Sequence, residues 1–169
     1  VQRCPVFVRG SHPGATAMNK ARIVLDRKDL IGTWVAVQTG QDASWGGFSA
    51  IGIMQDNSVL AGVVFNNYNG RNCLVHIAIR SKTKLIVPLF SAVCDYAFNL
   101  CKLKRITGMV PVSEVDVIAF DKHLGFREEF IMKDAATDGD MQVLVLTPAD
   151  ATRWLENIDG KEILKSTRA

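Results

Sequence analysis

The stretch FDKHLGFREEF, Phe120–Phe130, decides how the second half of this chain folds. Apolar side chains recur at helical spacing before it, and that pattern stops at Gly125. Glycine tolerates the left-handed backbone conformation that commonly ends a helix, so Gly125 is predicted to lie just beyond the last helical residue. Phe126 follows at once and is predicted to anchor a β-strand in the core. The predicted helix is capped by Ser113 with Asp116 three residues on, and its buried stripe is Val117, Phe120 and Leu124.

The rest of the chain alternates between helical and strand periods. Residues 26–40 predict a helix that Asp26 or Asp29 caps and Gly40 ends. A Gly-rich loop, a two-strand hairpin and a third apolar strand at Cys73–Arg80 follow; that strand is too apolar on both faces to be an edge. The order then runs helix (84–100), strand (104–112), the helix ending at Gly125, two strands and a short final helix. This order predicts a mixed α/β sheet with helices on both faces.

The first helix has an expected buried stripe, and two tryptophans have expected places. Leu30, Trp34 and Val37 recur at helical spacing, which predicts that Trp34 belongs to the core. Trp45 stands between polar residues and glycines in the loop 41–50, and it is the candidate for an exposed substrate contact. The alternative is a tryptophan buried under its own loop.

Composition bounds the class of protein. The 169 residues are 48% hydrophobic and 22% charged, which is typical of one soluble globular domain. The net charge of +3 is spread along the chain, so nucleic acid is not the expected partner. No apolar run is long enough to span a membrane. The four cysteines form no CxxC pair and the three histidines have no ligand spacing, so small buried thiols are expected and a metal site is not.

The N-terminal segment reads differently from the rest. Residues 1–17 lack the apolar core of a secretory signal and precede the patterned sequence, so Val1–Ala17 is expected to be a flexible, appended or processed tail, with Met18 as the native start. Residues 18–169 are then expected to form a single domain.

The segment VSEVDVIAFDKHLGF, 112–126, resembles the last helix and following strand of the GCN5-related N-acetyltransferase (GNAT) superfamily. The motif of that family runs from an Asn through a spacer to Tyr-x-x-x-Gly-Phe. The order of strands and helices matches over Met18–Leu155. In detail the chain resembles acetyltransferase-like proteins encoded by bacteriophages. The resemblance implies a mostly antiparallel central sheet, splayed at a cofactor cleft, with helices on both faces.

The resemblance also implies how acetyl-CoA binds. Pantetheine enters between the strand Cys73–Arg80 and the strand at 104–112, and bonds to the backbone of Ile77, Ala78 and Ile79. The pyrophosphate lies on the following loop and helix start. The glycines of the family's loop are absent here, so either cations and hydroxyls replace some backbone contacts or the loop is a solvated turn of a degenerate site. The loop residues are Arg80, Ser81, Lys82, Thr83, Lys84 and Leu85.

Catalytic candidates are few. Asp121 stands where the family has its Tyr, and can protonate a leaving thiolate only if burial raises its pKa; the alternative is a solvent-facing helix carboxylate. The family's Asn falls at Glu114. His76 is the candidate base, and the alternative is a core histidine whose ring nitrogens are both hydrogen-bonded. Strand alternation places His76 on the face opposite the family's usual base unless a β-bulge reverses the facing. Glu128, with Glu129 beside it, is an acceptor-side candidate.

The expected function is transfer of an acetyl group from acetyl-CoA to a primary amine of a small molecule or protein, by direct attack. The alternative is a catalytically degenerate GNAT-fold binding or virion-associated protein. The expected location is the cytoplasm, which is the host's if the gene belongs to a phage. The oligomeric state is not fixed by the sequence, and a homodimer stays open.

Overall fold

The computed structural model describes residues 20–81 and 83–156. The first half contains β1 (Arg22–Val24), α1 (Lys28–Thr39), β2 (Phe48–Gln55), β3 (Ser58–Asn66) and β4 (Leu74–Ile79). The second half contains α2 (Ile86–Cys94), a π-helical segment (Asp95–Leu100), β5 (Ile106–Pro111), α3 (Val115–Leu124), β6 (Arg127–Ala136), β7 (Gly139–Leu146) and α4 (Thr152–Leu155). The predictions on Val1–Ala17 and on Lys82 lie outside the described residues.

Seven strands form one sheet in the order β1-β2-β3-β4-β5-β7-β6. Every neighbouring pair is antiparallel except β4 and β5, which run parallel. The predicted mixed α/β sheet with helices on both faces is therefore confirmed, and β4 lies inside the sheet as its apolar sequence predicts. No helix among the described residues is long and apolar enough to cross a membrane.

The sheet separates two apolar clusters. On one face α1 packs over β2, β3 and β4, with Val64 and Ala78 beneath it. On the other face α2, α3 and α4 cover the larger cluster, which contains Phe126 and Trp154. Alternate residues of each strand supply the two faces, as the period of two requires. β6 at the sheet edge is the exception, because nine of its ten residues are exposed.

Two paired glycines set the position of α1. Gly52 and Gly62 lie opposite each other in β2 and β3, and Ile31 of α1 rests directly on both. A β-carbon on Gly62 would stand 2.8 Å from Ile31 Cγ2 and from Val35 Cγ2. The missing side chains let the helix approach the sheet closely, and this fixes where the end of α1 and the following loop lie.

The predicted buried stripe and N-cap of α1 are wrong. The buried residues are Ile31, Gly32, Val35 and Ala36, whereas Leu30 is 43% and Val37 71% exposed. The helix is rotated by one residue because Ile31 and Val35 fit the glycine pair of the sheet. The N-cap is Arg27 without a side-chain hydrogen bond, so neither Asp26 nor Asp29 caps the helix. Gly40 ends it in the left-handed conformation, with φ at 65°, as predicted.

The stretch around Gly125 folds as predicted at its C-terminal end. Gly125 has φ at 110°, its N–H donates to the carbonyl of Lys122, and the N–H of Phe126 donates to the carbonyl of Asp121 over 3.1 Å. Phe126 is 3% exposed, with its ring 6.3 Å from that of Phe90. The start is different, because the N-cap is Glu114 and no side chain, that of Ser113 included, caps the helix.

Candidate active site

The strands β4 and β5 are joined at one point. Leu74 is paired with Thr107, whose N–H donates to the carbonyl of Cys73 over 3.0 Å, and no later residue of β4 is in register with β5. β4 and β5 therefore diverge from Val75 onward, as the splayed sheet of the sequence prediction requires. The gap opens toward the C-terminal ends of the two strands.

The direction of the backbone groups of β4 follows from its two ladders. The N–H of Arg80 donates to the carbonyl of Leu60 in β3, so even-numbered residues bond to β3. Odd-numbered residues face β5, as the Cys73 bond shows, because successive residues of a strand direct these groups to opposite sides. The backbone N–H and C=O groups of Ile77 and Ile79 thus face the gap, whereas those of Ala78 face β3. The expectation that Ala78 offers its backbone to a ligand is wrong.

The gap is a cleft of about 370 Å³. Its size is within the range of small-molecule sites. The walls come from the end of α1 and the residues after it, from β4, from β5 and from α3. The lining residues include Gln41, His76, Gly108, Glu114, Asp121 and Phe126.

Asp121 faces the cleft and is 7% exposed, so the interpretation as a solvent-facing helix carboxylate is wrong. Its carboxylate has no hydrogen bond or ion pair within residues 20–81 and 83–156. Burial without a compensating cation raises the pKa of Asp121 to about 7. Gly108 of β5 lies beside it, since a β-carbon there would stand 4.0 Å from Asp121 Oδ2, an ordinary van der Waals distance.

His76 also lines the cleft, on the α1 side of β4. Its Nδ1 is 3.0 Å from Nε2 of Gln41, and its Nε2 is 3.1 Å from Oδ1 of Asn66. Because an amide N–H donates to Nδ1, Nε2 carries the proton and donates to Asn66. Burial lowers the pKa of His76 to about 4. The register of β3 with β4 is continuous, so the β-bulge that was to turn His76 to the other face does not exist.

Several backbone N–H groups of the loop after β4 are already hydrogen-bonded within the protein. The N–H groups of Arg80 and Ser81 both point to the carbonyl of Leu60, and the N–H of Leu85 donates to Oγ1 of Thr83 over 3.0 Å. The guanidinium of Arg80 lies 5.4 Å from the ring of Trp34, on the α1 side of the sheet. The expected anion cradle therefore has fewer free backbone donors than the sequence prediction supposed.

Neither of the two substrate candidates lines the cleft. Trp45 is 6% exposed and donates from Nε1 to the carbonyl of Gly32 over 3.0 Å, so the expected exposed contact is wrong. Its ring is 4.7 Å from that of His76. Glu128 is exposed on β6 and pairs with Lys122 at 3.2 Å, and Glu129 pairs with Arg105. The structure does not bring Glu128 to the cleft.

Sequence reasoning missed Gln41 and Gly108. Gln41 directly follows the helix-ending Gly40, where the chain turns toward the sheet, and it orients His76. Gly108 stands inside the apolar strand β5 and lines the cleft.

The comparisons with known proteins support the fold. No family model matches the chain and no curated protein matches it, but solved structures do. A spermidine N-acetyltransferase from Vibrio cholerae in complex with CoA and spermine aligns with TM-score 0.62 at 11% identity, over 78% of this chain and 98% of that one. The same enzyme with manganese ions aligns with TM-score 0.60 at 12% identity, over 83% and 98%. A chimera of that enzyme and hSSAT aligns with TM-score 0.54 at 16% identity, over 66% and 73%.

The chain has the GNAT fold. At these identities the likeness concerns the architecture, and the chemistry has to be argued from the residues of the cleft. The narrower resemblance to proteins encoded by bacteriophages stays a prediction.

Proposed function

We propose that this protein is an N-acetyltransferase that moves an acetyl group from acetyl-CoA to a primary amine. The observation that carries the proposal is the cleft between β4 and β5, where unpaired backbone groups face a buried carboxyl whose pKa is about 7. The similar structures include an N-acetyltransferase in complex with CoA and a polyamine, which supports CoA as the ligand class.

The cleft fits the pantetheine arm better than the pyrophosphate. Ile77 and Ile79 offer N–H and C=O groups to an extended ligand in the way that a sheet edge receives a strand. The pyrophosphate is left to the cations Lys82 and Lys84 and to the hydroxyl of Ser81, because the N–H groups of Arg80 and Ser81 are bonded to β3. When bound, acetyl-CoA supplies the acetyl group as a thioester.

Asp121 is assigned the role of general acid. An ordinary aspartate is ionised at neutral pH, but this carboxyl is about half protonated near pH 7 and can give its proton to the departing thiolate. The bond from the amine nitrogen to the acetyl carbon forms as the carbon–sulfur bond breaks. The amine nitrogen loses its proton to solvent water, and that proton balances the one that Asp121 gives to the sulfur.

His76 is assigned a positioning role. Its Nδ1 lone pair is occupied by Gln41 and its Nε2 proton by Asn66, so it is not free to accept a proton in this arrangement. It serves as a base only if Gln41 withdraws.

The experiment compares Asp121→Asn with Asp116→Asn, an exposed carboxylate on the same helix. Asp121→Asn is expected to lower kcat about a hundredfold, the usual size of an acid–base contribution, and to leave CoA binding intact. The limb of the pH–rate profile near pH 7 is expected to disappear with it. An unchanged profile would remove Asp121 from the chemistry. The amine panel includes spermidine, spermine and aromatic amines.

A second candidate is a GNAT-fold protein that binds CoA or a related ligand without turnover. The bonded N–H groups of the 80–85 loop favour it, since they leave fewer donors for the pyrophosphate. A thermal-shift titration with acetyl-CoA, CoA and ATP separates the two. A ligand at a hundred times its Kd adds about 2.7 kcal/mol of stability. Stabilisation by both CoA species without acetyl transfer to any amine supports the second candidate.

A further inference from the structure

A second cavity lies at the other end of β4 from the open cleft. It is an open cavity of about 620 Å³ between the loop after α1, the start of β2 and the π-helical segment. Five aromatic side chains line it, namely Trp45, Phe48, Phe65, Tyr68 and Tyr96. No charged residue does so within the part of the chain that the structure describes. A cavity of this kind is suited to a flat, uncharged ligand.

The π-helical segment is an independent sign of function at this place. Asp95–Leu100 continues α2 with wider turns, and the N–H of Cys101 donates to the carbonyl of Tyr96, five residues back. Such turns are rare and occur frequently at functional sites, because their geometry is less favourable than that of the α-helix. Here the segment directs Tyr96 to the cavity wall, where its ring packs 5.0 Å from that of Phe65.

Two hydroxyl groups in the cavity lining form a hydrogen-bonded pair, and Asn67 adds an amide to the lining. Oη of Tyr96 donates to Oγ of Ser49 over 2.7 Å. The two hydroxyls carry two hydrogens and use one between them, so one donor hydrogen is left for a ligand. Burial, the largest cause, raises the pKa of Tyr96, and the phenol therefore stays a neutral donor.

Another part of the cavity wall is the indole of Trp45, whose orientation is set by a hydrogen bond. The Nε1 of Trp45 is bonded to the carbonyl of Gly32, which holds the indole plane in place. The ammonium group of Lys28 already lies 5.1 Å from the ring of Phe48, and a cation there disfavours a second cation in the cavity. The uncharged lining disfavours a buried anion as well, since none of its residues can neutralise one.

We propose that this cavity binds an uncharged planar aromatic molecule whose acceptor oxygen meets the Tyr96–Ser49 hydroxyl pair. This site is separate from acetyl transfer and does not depend on the proposed function. It does adjoin the cleft: Trp45 of the cavity touches His76 of the cleft, and Phe65 of the cavity is paired with Val75 of the cleft.

The test uses the full chain labelled with 5-fluorotryptophan and followed by fluorine NMR. The chain has three tryptophans, so Trp34 and Trp154 are internal controls for Trp45. Coumarin, planar and uncharged with a carbonyl acceptor, is the probe. The expected result is a saturable shift of the Trp45 resonance alone. Naphthalene, of similar size without an acceptor, should bind about fivefold more weakly, as the loss of one hydrogen bond predicts. Benzoate and benzylammonium should not bind.

A filling variant locates the site. Gly47 lines the cavity, and a β-carbon on it would meet nothing within 4 Å. Gly47→Phe should weaken coumarin binding about tenfold or more by occupying the cavity, whereas Gly47→Ala should leave it within about twofold. Asp121→Asn should not affect it.

The proposal is overturned if coumarin gives no saturable shift of Trp45, if Trp34 or Trp154 responds equally, or if Gly47→Phe folds and still binds. If Gly47→Phe does not fold, the wild-type titration decides alone, because the three tryptophans report on three different places. If the wild-type protein binds coumarin but transfers no acetyl group to any amine, the proposed function is contradicted and this binding site is not.

Discussion

The Nε2 atom of His76 lies 3.1 Å from Oδ1 of Asn66, a side chain of β3 that is itself 9% exposed. With Gln41 at the other nitrogen, this contact fixes the ring in one tautomer beside the cleft. Leaving a buried amide without its hydrogen-bond partner lowers the stability of the folded state. The histidine therefore stabilises the pairing of β3 with β4 as well as orienting the site.

His76→Gln is expected to lower the free energy of unfolding by about 1–2 kcal/mol at pH 7, because the hydrogen bond to Asn66 is lost or bent. The folded-state pKa of His76 is about 4 and thus below its ordinary value of 6.5, so the stability it contributes is present above pH 6.5 and is lost as pH falls through 4. The deficit of the variant should therefore shrink from pH 7 to pH 4. Urea unfolding at several pH values measures it. His123→Gln, an exposed control, should show no such trend, and a deficit that grows toward acid would contradict the assignment.

Asp121→Asn is expected to stabilise the protein more at pH 8 than at pH 5, and to change little below pH 4. The folded-state pKa is raised from 3.8 to about 7, so the favourable neutral form is present below pH 4 and its stability is lost as pH rises through 7. Removing the ionisable group recovers up to about 4 kcal/mol at pH 8. Thermal unfolding of Asp116→Asn at the same two pH values is the matched control. Equal stability of Asp121→Asn and wild type at pH 8 would show that burial does not raise the pKa of Asp121.

Changing Lys82 and Lys84 together to Glu is expected to weaken CoA binding severely, because two attractive charges near the pyrophosphate become repulsive. Isothermal titration with CoA measures the change. The control is the pair Lys102 and Lys104, exposed before β5, changed in the same way for the same net charge. If both double variants bind CoA equally well, the 80–85 loop does not hold the pyrophosphate.

Gly125→Ala is expected to cost about 2–3 kcal/mol, since a residue with φ at 110° is strained and its β-carbon would lie 3.2 Å from the carbonyl oxygen of Asp150. Gly40→Ala shares the positive φ but meets nothing within 4 Å, and should cost about 1 kcal/mol. The difference in urea unfolding isolates the contact from the backbone strain. Equal costs would mean that the α4 side yields to the methyl group.

The sequence predicted well what local chemistry decides. Gly125 ends its helix because only glycine is at ease in that conformation, and Phe126 is buried because it is the first strand residue beyond it. The rotation of α1 was beyond local reasoning, since it depends on Gly52 and Gly62 meeting across two strands.

The environments of the candidate site residues were also beyond local sequence reasoning, because they depend on residues from other elements. Whether Asp121 faces water or the cleft depends on how α3 packs beside β5, which the local sequence of α3 does not decide. The satisfied nitrogens of His76 likewise depend on Gln41 and Asn66, from two other elements. The π-helical segment has no sequence signal that distinguishes it from the α-helix it continues.

Because Leu74 and Thr107 are the single register pair between β4 and β5, the sheet consists of two parts, β1–β4 and β5–β7, that meet at this one seam. Each part is cross-linked along its length by backbone hydrogen bonds, so both resist shear far better than the seam does. Under a force applied across the strands, we expect the molecule to part between β4 and β5 first. A ligand that hydrogen-bonds to both strands along this seam would raise the force needed to separate them. The measured rupture force would then report whether the ligand is bound.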